Sequence, residues 1–410
     1  MRTKIFGRWL GGGRLPLTVM AIAFLEQAAF VVLFLFLTQR YLAEDRGLGV
    51  AFAGYAITVF GLTKLTAQTP AGWLGDRIGY RTLLVLGFAT SVIAATMLMH
   101  AQPPAVILVA VALYAVGKAM IGPAMSATVA NLYDEANRGQ VVAYMNLANL
   151  GAYLVAGLGG FMVIDLAPAQ GVFLLAVALN AAPLLVAMFW LEETAFAVAA
   201  PAATWRWRAL PFAELASPHV LTWGAIVLLL GLGMGLVAPL ARPYARDVLD
   251  MEIRELAPYL VLPAVLAAVC IIPCGRLADR WGRVTPAVAG LALGSAGLLG
   301  VALTADAWGI MVMVSLIMLS YTLLSPAVGA AMMDVAREET RGFVLGALAT
   351  VQGLGGAVGP AIGGRIYEAL SPQDVFVVAA SLLGGAMLLT IAYAGRRQLA
   401  YAFSPVPADD

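Results

Sequence analysis

The chain has 410 residues, of which 62% are apolar and 11% charged, with a mean hydropathy of +0.90 and a formal net charge of +1. Soluble domains carry about 25% charged residues, so this chain cannot cover a water-facing surface with charge and its solvent is lipid. The near-zero net charge gives no argument for a nucleic-acid or strongly acidic partner, and no nucleic acid is expected among the partners.

A basic segment, Arg2, Lys4, Arg8 and Arg14, opens the chain, and an apolar stretch runs from Leu15 to about Thr38. A signal peptide has a shorter core and a small-residue cleavage site, so this stretch reads as a retained first span. A spanning helix needs about 20 mostly apolar residues. Twelve stretches meet that length, at about 16–39, 50–71, 82–100, 104–132, 140–165, 170–190, 219–241, 257–275, 286–304, 307–333, 342–366 and 373–395. They are unbroken runs, not the alternating ten-residue segments of a barrel. The expected fold is therefore all-α and integral to the membrane. Cys270 and Cys274 lie four residues apart on one helical face. They read as packing thiols, because no His, Asp or Glu in the same stretch completes a metal set.

Orientation follows from lysine and arginine in the connections. With the N-terminus inside, the inner segments hold Arg2, Lys4, Arg8, Arg14, Arg77, Arg81, Arg138, Arg206, Arg208, Arg276, Arg280, Arg283, Arg337, Arg341, Arg396 and Arg397. The outer segments hold Arg40, Arg46, Arg242, Arg246, Arg254 and Arg365. This bias predicts a multi-pass protein of the cell (inner or plasma) membrane with both termini cytoplasmic. The longest polar connection, 191–218, divides the chain into a first bundle, 1–190, and a second, 219–410. Trp205 and Trp207 flank Arg206 and Arg208 there, which suits a segment resting on lipid headgroups.

The two halves repeat. "GWLGDRIGYR" at 72–81 returns as "GRLADRWGRV" at 275–284, an offset of 203 residues. The same offset places Pro123 on Pro326, Glu135, Arg138 and Gly139 on Glu338, Arg341 and Gly342, Asn149 on Gln352, and Gly160 on Gly363. One register shared by separate places marks a duplicated six-span unit in parallel orientation. Such halves suit a transporter with a midplane site at the repeat interface.

These phrases carry a family resemblance. "GWLGDRIGYR" between spans two and three resembles the signature of the major facilitator superfamily, and "GRLADRWGRV" its second-half copy. "DEANRG" and "EETRG" after spans four and ten are similar to that family's loops. The resemblance covers essentially the whole chain and points to the drug/proton antiporter branch. It implies twelve helices in two pseudo-symmetric bundles and secondary active transport by alternating access. It also implies a conformational latch of Gly72, Asp76, Arg77, Gly79, Arg81, Arg138, Gly275, Asp279, Arg280, Gly282 and Arg341. In that latch Asp76 and Asp279 hold the cytosolic ends of the bundles, with Arg138 and Arg341 as candidate partners. From the residues alone, Gly72 and Gly79 suit a tight turn and close helix approach. Asp76 can cap backbone N–H groups or pair with an arginine of a neighbouring helix, and the arginines can simply anchor the loop inside.

A charged side chain at the bilayer centre costs about 2.5–3.5 kcal/mol on insertion scales, so such residues are functional candidates. Three lie well inside the spans: Glu26, Lys64 and Lys118. Their second-half counterparts are Leu229, Ala267 and Tyr321, so the chemistry is asymmetric although the scaffold repeats. "GKAMIGP" resembles the family's span-four motif, with Lys118 in its arginine position and Gly122 four residues on. Lysine can lose its proton when desolvated and arginine effectively cannot. Glu26 can carry a proton, held between burial, which favours the neutral acid, and a nearby cation, which favours the carboxylate. Glu26 and Lys118 are thus candidates for proton coupling or substrate binding, or for a structural ion pair. Lys64 either snorkels towards headgroups or joins the cavity. With both lysines in the cavity, two cations face one carboxylate, which favours an anionic or zwitterionic solute.

Gln27, Asn146, Asn149, Tyr321 and Gln352 are candidate cavity-lining residues. Asn146, Asn149, Tyr153, Gly157 and Gly160 form one stripe on span five, which serves helix packing or solute lining. Gly355, Gly359, Pro360, Gly363 and Gly364 on span eleven resemble the family's antiporter motif, a pattern that normally marks span five. Tyr55, Tyr114 and Tyr144 suit gap filling as well as lining, and His100 and His219 fall near span ends. There is no ATPase-type phosphate loop, no nucleophile–base pair and no metal cluster in the sequence, so the protein is expected not to be an enzyme and to need no cofactor or metal. The expected partners are a small-molecule substrate, protons or another coupling ion, and membrane lipids, with the chain a monomer. Proton-coupled efflux of an amphipathic solute leads. Uptake or exchange of an organic anion or lysolipid-like molecule is the alternative. A non-transporting receptor on the same scaffold would need an appended domain, and only thirteen residues follow Arg397. Asp76→Asn is expected to slow transport and leave membrane insertion intact; normal turnover in that variant would remove the latch.

Overall fold

The computed structural model describes residues 14–132, 135–190, 212–280, 284–335 and 340–402. The chain separates into two compact units, Met1–Trp205 and Arg206–Asp410. In the first unit α1 (Arg14–Phe36) continues into a π-helical segment, Leu37–Asp45, followed by α2 (Gly49–Ile78), α3 (Tyr80–His100), α4 (Pro104–Leu132), α5 (Glu135–Leu166) and α6 (Ala169–Trp190). The second unit has a short α7 (Phe212–Leu215), α8 (Pro218–Leu236), a short α9 (Ala241–Asp247), α10 (Ile253–Arg280), α11 (Val284–Leu303), α12 (Ala307–Val335), α13 (Arg341–Ala369) and α14 (Pro372–Ala402). Among the described residues ten helices are long and apolar enough to cross a membrane. Large apolar side chains such as Ile93, Val109, Val155 and Leu388 are exposed, as a surface solvated by lipid tails requires.

Several expected boundaries move. Span seven, placed at 219–241, ends at Leu236 because Pro239 lacks the N–H that a continuing helix needs. The chain turns and restarts as α9, which buries Arg242 beside Glu252 at 3.7 Å. Tyr244 donates to the Val301 carbonyl at 2.6 Å, and burial pushes its hydroxyl pKa up. Span eight extends to Ile253–Arg280 despite Pro258, Pro263 and Pro273 inside it. The charged phrase at 72–81 is hardly a loop: α2 runs to Ile78, α3 starts at Tyr80, and Gly79 alone makes the turn at φ +90°. That backbone region favours glycine. Of the interfacial connection, 191–211 lies outside the described residues. Its end holds α7 and Ser217, whose Oγ accepts the Val220 N–H at 3.3 Å and caps α8.

Helix packing rests on small residues. Without water to drive association, membrane helices adhere by close van der Waals contact. On α8, a Cβ at Gly231 would stand 2.3 Å from the Gln352 carbonyl oxygen, and one at Gly235 would stand 3.1 Å from the Gly359 Cα. From α13, a Cβ at Gly355 would meet the Leu228 carbonyl oxygen at 2.6 Å, and one at Gly363 the Leu236 carbonyl oxygen at 2.0 Å. The five glycines recur every fourth residue, so one smooth strip runs along each helix. The motif read on span eleven is thus a backbone-to-backbone seam with α8, with Pro360 and Gly364 also buried. The offset of 203 places the same seam in the first unit on Ala28, Val32, Ala152, Ala156 and Gly160, all buried.

A second seam shows the duplication trading one atom group between helices. Ser91 on α3 sits against Gly117 on α4 and donates to the Gly87 carbonyl at 2.9 Å. In the second unit the glycine is Gly294 on α11 and the serine is Ser320 on α12, donating to the Gly290 carbonyl at 2.6 Å. One hydroxyl fills the space in each unit, from opposite helices. Gly363→Ala is expected to lower stability by about 1–3 kcal/mol, because its methyl would strike backbone. Gly346→Ala, whose methyl would meet nothing within 4 Å, is expected to gain up to about 1 kcal/mol of helix propensity. Thermal unfolding of the detergent-purified variants checks both.

Candidate functional site: a charged recess in the first unit

Four helices of the first unit surround a recess of about 280 Å³. Glu26 and Gln27 come from α1, Lys64 and Gln68 from α2, Lys118, Ile121, Gly122, Met125 and Ser126 from α4, and Met145 and Asn149 from α5. A Cβ at Gly122 would meet nothing within 4 Å, so the glycine one turn beyond Lys118 keeps this space open.

The Lys118 ammonium donates to Glu26 Oε1 at 2.7 Å and to the Glu26 carbonyl oxygen at 3.0 Å. It also lies 5.4 Å from the ring centres of both Phe30 and Tyr114. Helical spacing builds this arrangement: Phe30 stands one turn after Glu26, and Tyr114 one turn before Lys118, so a carboxylate and two rings converge on one cation. The Lys118 side chain is 4% exposed and that of Glu26 20%, so the carboxylate keeps access to the recess while the ammonium is sealed. Behind them the Tyr114 hydroxyl donates to Asn180 Oδ1 at 3.2 Å, and Asn180 Nδ2 donates to the Ala176 carbonyl at 2.8 Å.

Lys64 lines the same recess and is exposed there. Gln68, one turn along α2, shares its face. Two amide atoms of the lining, Gln27 Nε2 and Asn149 Oδ1, are shielded from solvent and have no hydrogen-bond partner among the described residues. Asn146 points elsewhere: it is exposed and outside the lining, so the span-five stripe divides. Asn149 belongs to the recess. Further along, Gly160 packs on α1, where a Cβ would meet Leu35 at 3.0 Å.

The second unit has its own recess, of about 380 Å³, lined by Tyr321 and Gln352 together with Leu230, Met234, Leu324 and Met332. Among the described residues its lining includes no charged one. The sequence alone did not single out Phe30, Gln68 or Asn180. The first two lie one turn from Glu26 and Lys64 and were findable by that spacing, whereas Asn180 carries no local signal.

At the α2–α3 turn the residues read as a latch find partners within the unit. Asp76 accepts the Tyr80 hydroxyl. It does not cap α3, whose N-cap is Gly79. The Arg77 guanidinium lies 3.9 Å over the Trp73 ring, and Arg81 donates to the Met188 carbonyl on α6 at 2.8 Å. Gly72 is not a close approach, since a Cβ there would stand 4.0 Å from Pro123. Gly75 has that role, with Leu83 at 2.8 Å. Arg138, Gly275, Asp279 and Arg280 are helical in backbone, with side chains outside the description, and Arg341 is exposed at the start of α13. Gly282 lies outside the described residues. Cys274 is buried near the Thr322 hydroxyl, with Oγ1 and Sγ 3.6 Å apart, and Cys270 is half-buried.

Long apolar helices around a recess with a buried ion pair define a multi-pass, all-helical membrane protein. The chain belongs to the Major Facilitator Superfamily, whose profile matches residues 19–360 and 224–401. It is a membrane transporter and not an enzyme. It is 22% identical to the proton-coupled antiporter flippase LtaA of Staphylococcus saprophyticus, over 78% of this chain and 79% of that protein. It is 19% identical to the quinolone resistance protein NorA of Staphylococcus aureus, over 87% and 91%. Among solved structures, the nucleoside transporter NupG superposes with a TM-score of 0.76 at 14% identity, over 93% of this chain and 98% of that one.

Removing one partner of a buried ion pair strands the other charge. Lys118→Met is therefore expected to destabilise the protein by about 3 kcal/mol. The double variant Glu26→Gln/Lys118→Met should recover most of that loss, as read in thermal unfolding.

Proposed function

We propose that this transporter exports an amphipathic solute in exchange for protons, with Glu26 as the proton-bearing group and Lys118 as its counter-charge. The observation that carries this reading is the Glu26–Lys118 pair on the wall of a polar recess. The charged groups facing one another there are Glu26, Lys118 and Lys64, with the Tyr114 hydroxyl packed behind. While Glu26 is ionised, it holds the ammonium by a charge-assisted hydrogen bond. A proton on Glu26 removes that attraction and leaves Lys118 to seek another acceptor, which couples proton uptake to rearrangement of the recess lining. The names of the relatives, a proton-coupled antiporter flippase and a quinolone resistance protein, agree with exchange and export.

The same reading takes 1–190 and 219–410 as two six-span bundles, both termini as cytoplasmic, and the protein as a monomer in the cell membrane. Alternating access then exposes the recess to each side in turn, and Asp76 and Asp279 with their arginines act as the latch between states.

The experiment is transport by purified protein in vesicles under an imposed pH gradient, against amphipathic cations, organic anions and lysolipids. Gradient-driven accumulation is expected for the wild type, and Glu26→Gln should reduce it to the level of empty vesicles while keeping solute exchange. Accumulation that ignores the gradient and survives Glu26→Gln would overturn the coupling role.

A further inference from the structure

We propose that the recess of the first unit is an oxyanion site, with Lys64 as its anchor, and that the solute is an amphiphile bearing a carboxylate or phosphate group. This rests on the reading of that recess as the solute site. The lysines are not equivalent. Lys118 is committed to the Glu26 carboxylate, the Glu26 carbonyl and two ring faces. The Glu26–Lys118 pair is neutral as a unit, so Lys64 sets the net charge of the recess.

Among the described residues Lys64 makes no ion pair, although it lies in a helix that crosses the membrane. A cation kept at that depth needs a counter-charge. Glu26 is the one carboxylate among the described lining residues and Lys118 holds it, so an arriving anion is the available partner.

Gln27 Nε2 and Asn149 Oδ1 make the second, independent observation. Both are shielded and unpaired, a costly state for polar atoms. The amide nitrogen can donate to the same oxyanion, and the amide oxygen can accept from a hydroxyl or ammonium next to it. Ile121, Met125 and Met145 supply an apolar wall, which suits a hydrocarbon tail and not a bare ion. One cation, one free donor, one free acceptor and an apolar flank together describe an anionic or zwitterionic headgroup on an alkyl chain.

Equilibrium binding without a pH gradient tests this apart from coupling. Titration calorimetry on the full chain in phosphatidylcholine nanodiscs, blanked with empty nanodiscs, compares octyl phosphate, octyltrimethylammonium and inorganic phosphate. Octyl phosphate is expected to bind about tenfold or more tighter than the ammonium, the measure of one charge-assisted hydrogen bond. Lys64→Gln should abolish that preference, and Lys64→Arg should keep it. If Lys64→Gln does not fold, Gln27→Leu replaces it, and a selective loss of octyl phosphate supports the site. Equal or tighter binding of the ammonium, or an unchanged preference in the neutral variant, overturns the assignment. Inorganic phosphate binding as tightly as octyl phosphate overturns the amphiphile. An anion preference that persists while the vesicle experiment shows no coupling would remove the exchange reading alone. Coupled transport without the preference would remove the substrate class alone.

Discussion

Lipid offers a helix no hydrogen bonds and no hydrophobic push towards its neighbours, and this constraint governs the molecule. Backbone groups are satisfied inside each helix, so helices adhere through contact alone, and contact is closest where side chains are smallest. The α8–α13 seam is the clearest result: five glycines let two backbones touch directly. The first unit solves the same problem with Ala28, Ala152 and Ala156 in the equivalent places. The exchange of Ser91 and Gly117 for Gly294 and Ser320 shows the same accounting at single-atom scale. The space between two helices admits one hydroxyl, and either helix can supply it.

The absence of water makes any charge in the spans expensive, and the first unit concentrates its charge in one place. Lys118 is surrounded by a carboxylate, a carbonyl and two aromatic faces, each of which replaces part of the hydration it lost. Glu26 keeps a partly open side while the lysine stays covered. The second unit, built on the same scaffold, carries a recess with no charged residue among its described lining. The seams recur at the offset of 203 while the recess linings differ in charge, although Gly231, Ser320 and Gln352 serve both a seam and the recess of the second unit.

Much of the architecture was legible from residue order. Long apolar runs and the offset of 203 depend on composition and spacing, which need no knowledge of the fold. Boundaries were read less well. The α2–α3 connection looked like a loop because it is charged, yet charge at a membrane surface is compatible with helix, and only Gly79 leaves it. Span seven looked longer because Val237 and Ala238 are apolar, while Pro239 forbids the helix that hydropathy alone would continue.

The sequence by itself determined that Glu26, Lys64 and Lys118 are the charges to explain, since depth in an apolar run can be counted. It offered Lys118 as an ion-pair partner of Glu26 and left Lys64 between headgroups and cavity, because α1, α2 and α4 are brought together only by packing. Tertiary structure decided that Lys118 takes the carboxylate, that Lys64 shares the recess without an ion pair, and that Asn149 but not Asn146 lines it. One helical residue turns a side chain by about 100°, and three residues nearly restore its face. The difference between Asn146 and Asn149 therefore lies in where the neighbouring helices leave space, which no spacing along one chain segment contains.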